Sequence, residues 1–415
     1  MTVQSLYIQQ ANALKSNKEQ WTVYESQGHC VVLAGPGSGK TKTLTLKLAR
    51  MLSEDVCSPR GIACITYSNQ CVRELKKRLK ILGITDGCNV SISTLHGFCL
   101  KHIVGPYAQM AGESKLNPIQ IASSSESDRL KNQAWQKIIG ASSRFAGVRF
   151  DRYRRMILDR DSDEWENKDS EIAQVIEYYE TLLEHAGLID FDGIVLTGLQ
   201  LVKKYPWVRK ALVARFPVLV VDEYQDLGYP LDQIVRLLCF DGGMRLLAVG
   251  DPDQSIYGFT GAAPNLLQEL AERDDVETIR LKLNYRCGEK IIKASTVALA
   301  EERDFHSSGS NQGEIFFKRC KDGLPDQAKF VCDYIIPQAL KNKPERKIGD
   351  IAILYIDKND GDIIANAVTQ KGWNFIRVDG NSPYQASPIT YWLEDCAAWC
   401  SGGWKTGKVS LAEII

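Results

Sequence analysis

The sequence predicts a doubly wound α/β protein, and three observations carry that expectation. Two apolar runs, Cys30–Ala34 and Val218–Asp222, have the length and β-branched content of buried parallel strands. The first opens into AGPGSGKT, Ala34 to Thr41, and the second into VVDEYQDL, Val220 to Leu227. Around them, strand patterns alternate with helical ones. Ligands of such sheets bind beyond the carboxyl ends of the strands, so both motifs open at one edge.

The elements follow in order. Residues 1 to about 50 read as helix, loop, strand, Gly-rich turn and helix, with leucines at helical spacing in Thr41–Leu52. Ile62–Ser68 is a second strand, Asn69–Leu82 a helix, and Val90–Cys99 a strand running into a helix. Between about 105 and 185 the strand signal disappears, and the periodicity of Asp169–Gly187 makes this stretch a helical insertion. The core resumes with Ile189–Leu196, Val218–Asp222 and Arg245–Ala262, and an element ends near Leu281–Cys287. Glu314–Cys320, Asp350–Ile356 and Asn374–Gly380 are read as strands of a second α/β domain. No short-period repeat or low-complexity tract interrupts the chain.

Composition narrows the class. With 415 residues, 44% of them hydrophobic and 25% charged, the chain is long enough for two or three ordered domains. Lys+Arg and Asp+Glu both number 51, so no whole-chain field attracts a polyanion, and nucleic-acid contact has to come from local patches or stacking. Basic clusters at Arg73–Lys80 and Arg149–Arg155 are read equally as solvated helix faces. The twelve cysteines form no C-x-x-C pair, and Cys396 and Cys400, one helical turn apart, have no further ligands nearby. Buried thiols in a reducing compartment, with no signal peptide and no apolar stretch long enough to cross a bilayer, predict a cytoplasmic protein.

The two motifs carry the chemistry. Gly35, Gly37 and Gly39 let backbone N–H groups turn toward phosphate oxygens, Ala34, Pro36 and Ser38 complete the cradle, and the following helix offers its positive end. Lys40 adds a charge for the β and γ phosphates, and the Thr41 hydroxyl suits Mg²⁺. Asp222 ends its strand as a second magnesium ligand, with Glu223 beside it to polarise the attacking water. No guanine-reading segment follows the cradle, so ATP is the expected nucleotide.

Taken together, the ordered motifs resemble the UvrD/Rep family of superfamily 1 DNA helicases, collinearly from about residue 14 to 400. The resemblance implies two RecA-like P-loop NTPase domains with a helical insertion in the first. It sets the first motor domain at 1–104 and 188–280, the insertion at 105–187, the second motor domain at 281–385, and a further insertion from 386. It implies an ATP-dependent helicase moving 3′ to 5′ on single-stranded DNA and opening duplex at junctions, with ATP and Mg²⁺ as cofactors. Gln20 would read adenine, Gln254 would sense the γ-phosphate, and Arg286 of NYRC would act as an arginine finger. DNA contacts would come from Thr66, Tyr67 and Asn69 in ITYSNQCVREL, from Thr94 and His96 in STLHGFC, and from Tyr257 and Phe259 in VGDPDQSIYGFTGA. IDFDGIV, Ile189 to Val195, resembles the acid-Phe segment that closes the insertion. For an isolated Tyr67 or His96, core packing or a helix cap is the bland account, and membership in ordered motifs favours the DNA role.

The chain also departs from the family. Phe259-Thr260 stands where a Trp-Arg pair is usual, which keeps a ring but loses a cation. Ile353–Asp360 lacks the arginine expected after its Leu-Tyr, and the two segments that normally complete the second motor domain are missing. The 415 residues therefore read as the front of a longer protein. The alternative reading is an ATP-gated DNA-binding subunit, partnered with a nuclease in an anti-phage defence complex of the Gabija type. A small-molecule P-loop kinase is disfavoured by Gln254, Arg286 and the long insertion.

Overall fold

A computed structural model of the chain describes residues 3–84, 89–112, 119–140, 147–256, 258, 261–300, 304–310, 312–377 and 388–400. Its strands are β1 His29–Ala34, β2 Ile62–Thr66, β3 Val90–Thr94, β4 Gln120–Ile121, β5 Leu188–Ile189, β6 Val218–Asp222, β7 Arg245–Gly250, β8 Val276–Leu281, β9 Leu283–Asn284 and β10 His306–Ser307. Six of them form one sheet in the order β3-β2-β6-β7-β1-β8, and every pairing in it is parallel. The α/β expectation therefore holds.

Period-two alternation explains why this sheet is covered on both faces. Val31, Ile65, Leu219, Val221, Leu246 and Ala248 pack into one hydrophobic core. Their strand neighbours Val32, Cys64, Val218, Val220, Leu247 and Val249 pack into a second core on the other side. A strand whose residues are buried on both faces is expected to be apolar, as Val218–Val221 of the fully buried β6 are, with Asp222 at its end the exception. Each such Val or Leu contributes roughly 1.5–3 kcal/mol relative to exposure.

The crossover helices follow from equally local causes. Lys40–Arg50 buries Leu44, Leu46 and Leu48, and Asn69–Ile81 buries Leu75 and Leu79 while its basic residues face outward. Ser68 caps the latter by accepting from the Cys71 amide at 3.2 Å. One residue breaks the pattern: Lys47 lies inside the apolar face of Lys40–Arg50 and is 2% exposed. Its ammonium donates to the carbonyls of Tyr24, at 2.9 Å, and Ser26. Burial lowers its pKa to about 8.

Residues 122–183 build a separate helical core around Trp135, Phe150, Tyr153, Trp165, Ile176 and Tyr179. An ionic cluster helps fasten it to the sheet domain. The fully enclosed Arg154 pairs with Asp190 at 2.6 Å and with Glu180 at 2.8 Å. Asp190 also accepts from Tyr179 Oη at 2.8 Å and caps the helix Phe191–Lys204 through the Gly193 amide at 2.7 Å. Beside it, Arg155 pairs with Asp192 at 2.9 Å.

Contact density divides the chain into two compact units, residues 1–315 and 316–415. The stretch 281–315, which the family resemblance assigns to the second motor domain, packs with the first unit. In the second unit, the helix Gly323–Phe330 packs against Lys358–Gln370, with Ala328, Cys332, Ile336 and Val368 buried. The strands expected at 314–320, 350–356 and 374–380 are not formed among the described residues. Phe316, Phe317, Leu354, Ile356 and Ile376 are 82–97% exposed, so these runs have strand composition but, among the described residues, no neighbouring strand to bury it; 378–380 lie outside the described residues.

Removing one partner of a buried ion pair strands the other, at roughly 3–5 kcal/mol. Arg154→Met is therefore expected to lower unfolding free energy by about 3 kcal/mol in urea titrations at pH 7. Despite its burial, the carboxyl of Asp190 is held below its ordinary value by Arg154 and its hydrogen bonds. Its stabilisation is complete above the unfolded carboxylate range and is lost as pH falls through the depressed folded value. The gap between wild type and variant should therefore shrink in acid, and a pH-independent gap would contradict this account.

Candidate nucleotide-binding cleft

The parallel register sets the floor of the site. Asp222 pairs with Val249, and Leu33 with Gly250, so β6, β7 and β1 end within two residues of one another. A cleft of about 780 Å³ opens there, and Lys40, Thr41, Glu223, Gln254, Tyr285 and Arg286 are among the residues that line it. Gln20, Gly35, Pro36, Gly37 and Gly39 line it as well.

The Gly-rich turn is held by its carbonyls. Asn284 Nδ2 donates to Pro36 O at 2.7 Å, the Tyr285 amide to Gly37 O at 2.7 Å, and Gln20 Nε2 to Ser38 O at 2.8 Å. Ser38 Oγ donates to Gly35 O at 2.7 Å. With the carbonyls committed, the amides at the start of the helix Lys40–Arg50 remain as donors for an anion. Gly37 and Gly39 have φ of 73° and 80°, the left-handed region in which a side chain is strained. A Cβ on Gly37 would also meet Arg286 Cβ at 2.6 Å.

Lys40 Nζ donates to Glu223 Oε2 at 2.6 Å, so the two groups the sequence assigns to phosphate and water hold each other. Glu223 has φ 55° and ψ 48°. A left-handed non-glycine costs on the order of 1–3 kcal/mol and recurs at functional positions. Asp222 is 8% exposed, and burial first, then the Glu223 charge, raise its pKa to about 6. Asp226 is pushed up to about 6 by the same two causes in that order, and its Oδ1 is buried with no hydrogen-bond partner. The desolvated Asp222 carboxylate, which shares a pocket with Thr41, fits a divalent cation, which would supply the missing positive charge. Among the described residues no cluster of three or more His, Cys, Asp or Glu forms a metal cage. A magnesium held by two protein oxygens and phosphate needs none.

Of the residues the sequence assigns to nucleotide, Ala34, Ser38 and Asp222 are not among those lining this cleft, and two that do line it are engaged with protein partners. Gln20 is 3% exposed and its amide is engaged with Ser38, so in this state it braces the turn. Gln254 donates to Asp251 Oδ2 at 2.7 Å, so its amide also has a protein partner.

Candidate strand contacts lie elsewhere on the same unit. Tyr67 is 39% exposed and Asn69 is exposed. His96 packs edge-on against Phe191 at 5.7 Å between ring centres, and burial lowers its pKa, so the ring is neutral at pH 7. Thr94 Oγ1 caps the Gly97 amide at 3.3 Å, the bland role. Thr66 is a correction: it is 1% exposed, its hydroxyl faces the Ser68 carbonyl, and it has no surface for a base or phosphate. Tyr257 and Phe259 lie outside the described residues.

Sequence reasoning missed Phe191, 57% exposed beside His96, Asn284, which braces the Gly-rich turn, and the cleft residue Tyr285. All three stand inside motifs already singled out, so attention to every polar or aromatic residue of those motifs would have found them.

Comparison with known proteins places these features in context. The family described as UvrD/REP helicase N-terminal domain matches residues 16–274. The chain is 26% identical over 389 residues to the ATP-dependent DNA helicase PcrA of Staphylococcus aureus, covering 90% of this chain and 52% of that protein. It is 27% identical over 405 residues to the ATP-dependent DNA helicase UvrD1 of Mycobacterium tuberculosis, covering 91% and 51%. The chain thus spans about half the length of these curated relatives.

Asp222 gives a stability signature independent of turnover. Its pKa is raised from 3.8 to about 6, so the folded chain is penalised by the ionised form above about pH 6 and relieved below 3.8. Asp222→Asn should stabilise the metal-free protein at pH 7 by on the order of 2–3 kcal/mol. The advantage should vanish as the pH of the urea titration is lowered toward 4. Equal stability of the two proteins at pH 7 would refute the raised carboxyl.

Proposed function

The chain belongs to the UvrD/REP helicase family, and from that premise we propose that it is an ATP-hydrolysing motor on single-stranded DNA, moving 3′ to 5′ and separating strands at junctions. The single observation that carries this reading is the convergence of Lys40, Thr41, Glu223, Gln254 and Arg286 on one cleft.

In this reading Lys40 leaves the Glu223 carboxylate and turns to the phosphates, and the released Glu223 accepts the proton of an attacking water. Thr41 and Asp222 would hold magnesium, which neutralises charge on the phosphates. Arg286, whose planar fork suits a transferring phosphoryl group, balances the charge that develops on the other side. Tyr67, Asn69 and the His96-Phe191 pair would face the strand, along with Tyr257 and Phe259. In this proposal residues 105–187 form an insertion in the first motor domain, and the second motor domain begins near 281.

Mg-ATP turnover by the chain should rise on adding single-stranded DNA, and Lys40→Ala or Glu223→Gln should lower it by about 100-fold or more. Glu223→Gln should still bind a fluorescent ATP analogue, since the carboxylate acts on water and its loss frees Lys40 for phosphate. Turnover indifferent to DNA, or a fully active Lys40→Ala, would remove the motor reading. Substrates tailed at the 3′ or the 5′ end report direction. DNA-stimulated turnover with no strand displacement would favour the ATP-gated subunit instead.

A further inference from the structure

At the amino-terminal edge of the sheet, opposite the nucleotide cleft, a second cavity of about 450 Å³ opens where β2 and β3 begin. Three cations line it, Lys76, Lys101 and Arg215, and among the described residues no carboxylate does. In a chain whose formal net charge is zero, this is a local excess of positive charge.

The cations share the cavity with a buried ring. His102 lines it while being 2% exposed, and its Nδ1 is buried with no hydrogen-bond partner. On the other side of the ring, Ser91 Oγ lies 2.7 Å from Nε2. When the hydroxyl donates, Nε2 is the acceptor and Nδ1 carries the proton, which makes it a donor. Leaving such a donor unmet costs about 1–3 kcal/mol, and an anion removes that cost. Burial first, then the charges of Arg215 and Lys101, lower the pKa of His102 to about 4, so both cations act on the ring and it is neutral at pH 7.

The surrounding frame is fixed. Phe216 meets the His102 ring edge-on at 5.0 Å between centres, and the Arg215 guanidinium lies 5.0 Å from the Phe216 ring centre. The Arg215 carbonyl accepts from the Gly61 amide at 2.8 Å, which ties the arginine backbone to the start of β2. A Cβ on Gly61 would lie 2.7 Å from Asn89 O, so the close approach of the two strand starts requires glycine.

We propose that this cavity binds a phosphate group, with His102 Nδ1 and Arg215 donating to its oxygens and Lys101 supplying charge. Phosphate brings more acceptor oxygens and more charge than a carboxylate, which matches several cations around one ring N–H. The group belongs either to a small phosphate compound or to a nucleic-acid strand, and the chemistry that recognises it is the same. The site stands apart from the cleft at the carboxyl edge and does not depend on the nucleotide reading.

Ring-nitrogen NMR of the histidine-labelled full chain tests it at pH 7 and constant ionic strength. The His102 signals are assigned by their absence in His102→Gln, or by their displacement in Ser91→Ala if the former does not fold. Inorganic phosphate should shift the Nδ1 signal in the wild type and equally in Lys40→Ala, which lacks the phosphate lysine of the other cleft. Arg215→Ala and Lys101→Ala, both at exposed positions, should each weaken that binding about tenfold. Single-stranded oligonucleotides with and without a 5′-phosphate separate the sources. A shift with either strand assigns the site to nucleic acid, and a shift with inorganic phosphate alone assigns it to a small compound. A His102 signal unmoved by all three ligands, an equal shift with chloride, or undiminished affinity in both variants would overturn the proposal.

Discussion

Parallel pairing of β6, β7 and β1 is the constraint on which the rest of the molecule depends. Their registers are fixed by alternating Val, Leu and Ala side chains that fill two cores, and a slip of one residue would exchange the two sets. Because the registers hold, Asp222, Gly250 and Ala34 end together, and three loops with unrelated sequences meet in one place. The chemistry is thus a consequence of apolar packing several residues away.

At that edge the fold accumulates groups that do not favour it. Asp222 and Asp226 are desolvated beside Glu223, and Glu223 itself occupies a left-handed backbone conformation. Such features weaken a domain whose total stability is typically only about 5–15 kcal/mol. What offsets them locally is Lys40, which lowers the pKa of both aspartates and pairs directly with Glu223. In the proposed function, a ligand bearing phosphate would compete with Glu223 for the lysine and in winning it would expose the carboxylate, so that binding and activation would be one exchange of partners.

How much of this was legible in the sequence depends on the range of the interaction concerned. The strands β1, β2, β3 and β6 and the Gly-rich turn were legible because hydrophobic period, chain length and glycine spacing are local signals. Lys47 was not, since a lysine in a helical run ordinarily faces water, and only the carbonyls of Tyr24 and Ser26 make its burial tolerable. Thr66 was misjudged for the reverse reason: membership in a motif implied contact, whereas its place as the last residue of a covered strand buries it. The apolar runs at 314–320 and 350–356 show a further limit. Composition proposes a strand, but pairing needs a neighbour, and the sequence of one strand says nothing about the presence of another.

The segment Asp190-Phe191-Asp192 shows why motif residues resist assignment one at a time. Asp190 takes Arg154 and Tyr179 from the helical core, Asp192 takes Arg155, and the ring between them stays outside, edge-on to His96. The alternation is forced at a helix start: Asp190 must turn inward to cap the Gly193 amide, which leaves Phe191 on the outer side of the first turn. A short acidic motif therefore fastens the helical core to the sheet and, by the same geometry, fixes an aromatic edge beside the strand-contact candidates. Displacing the helical core would have to move that ring, because both hang from the first turn of one helix.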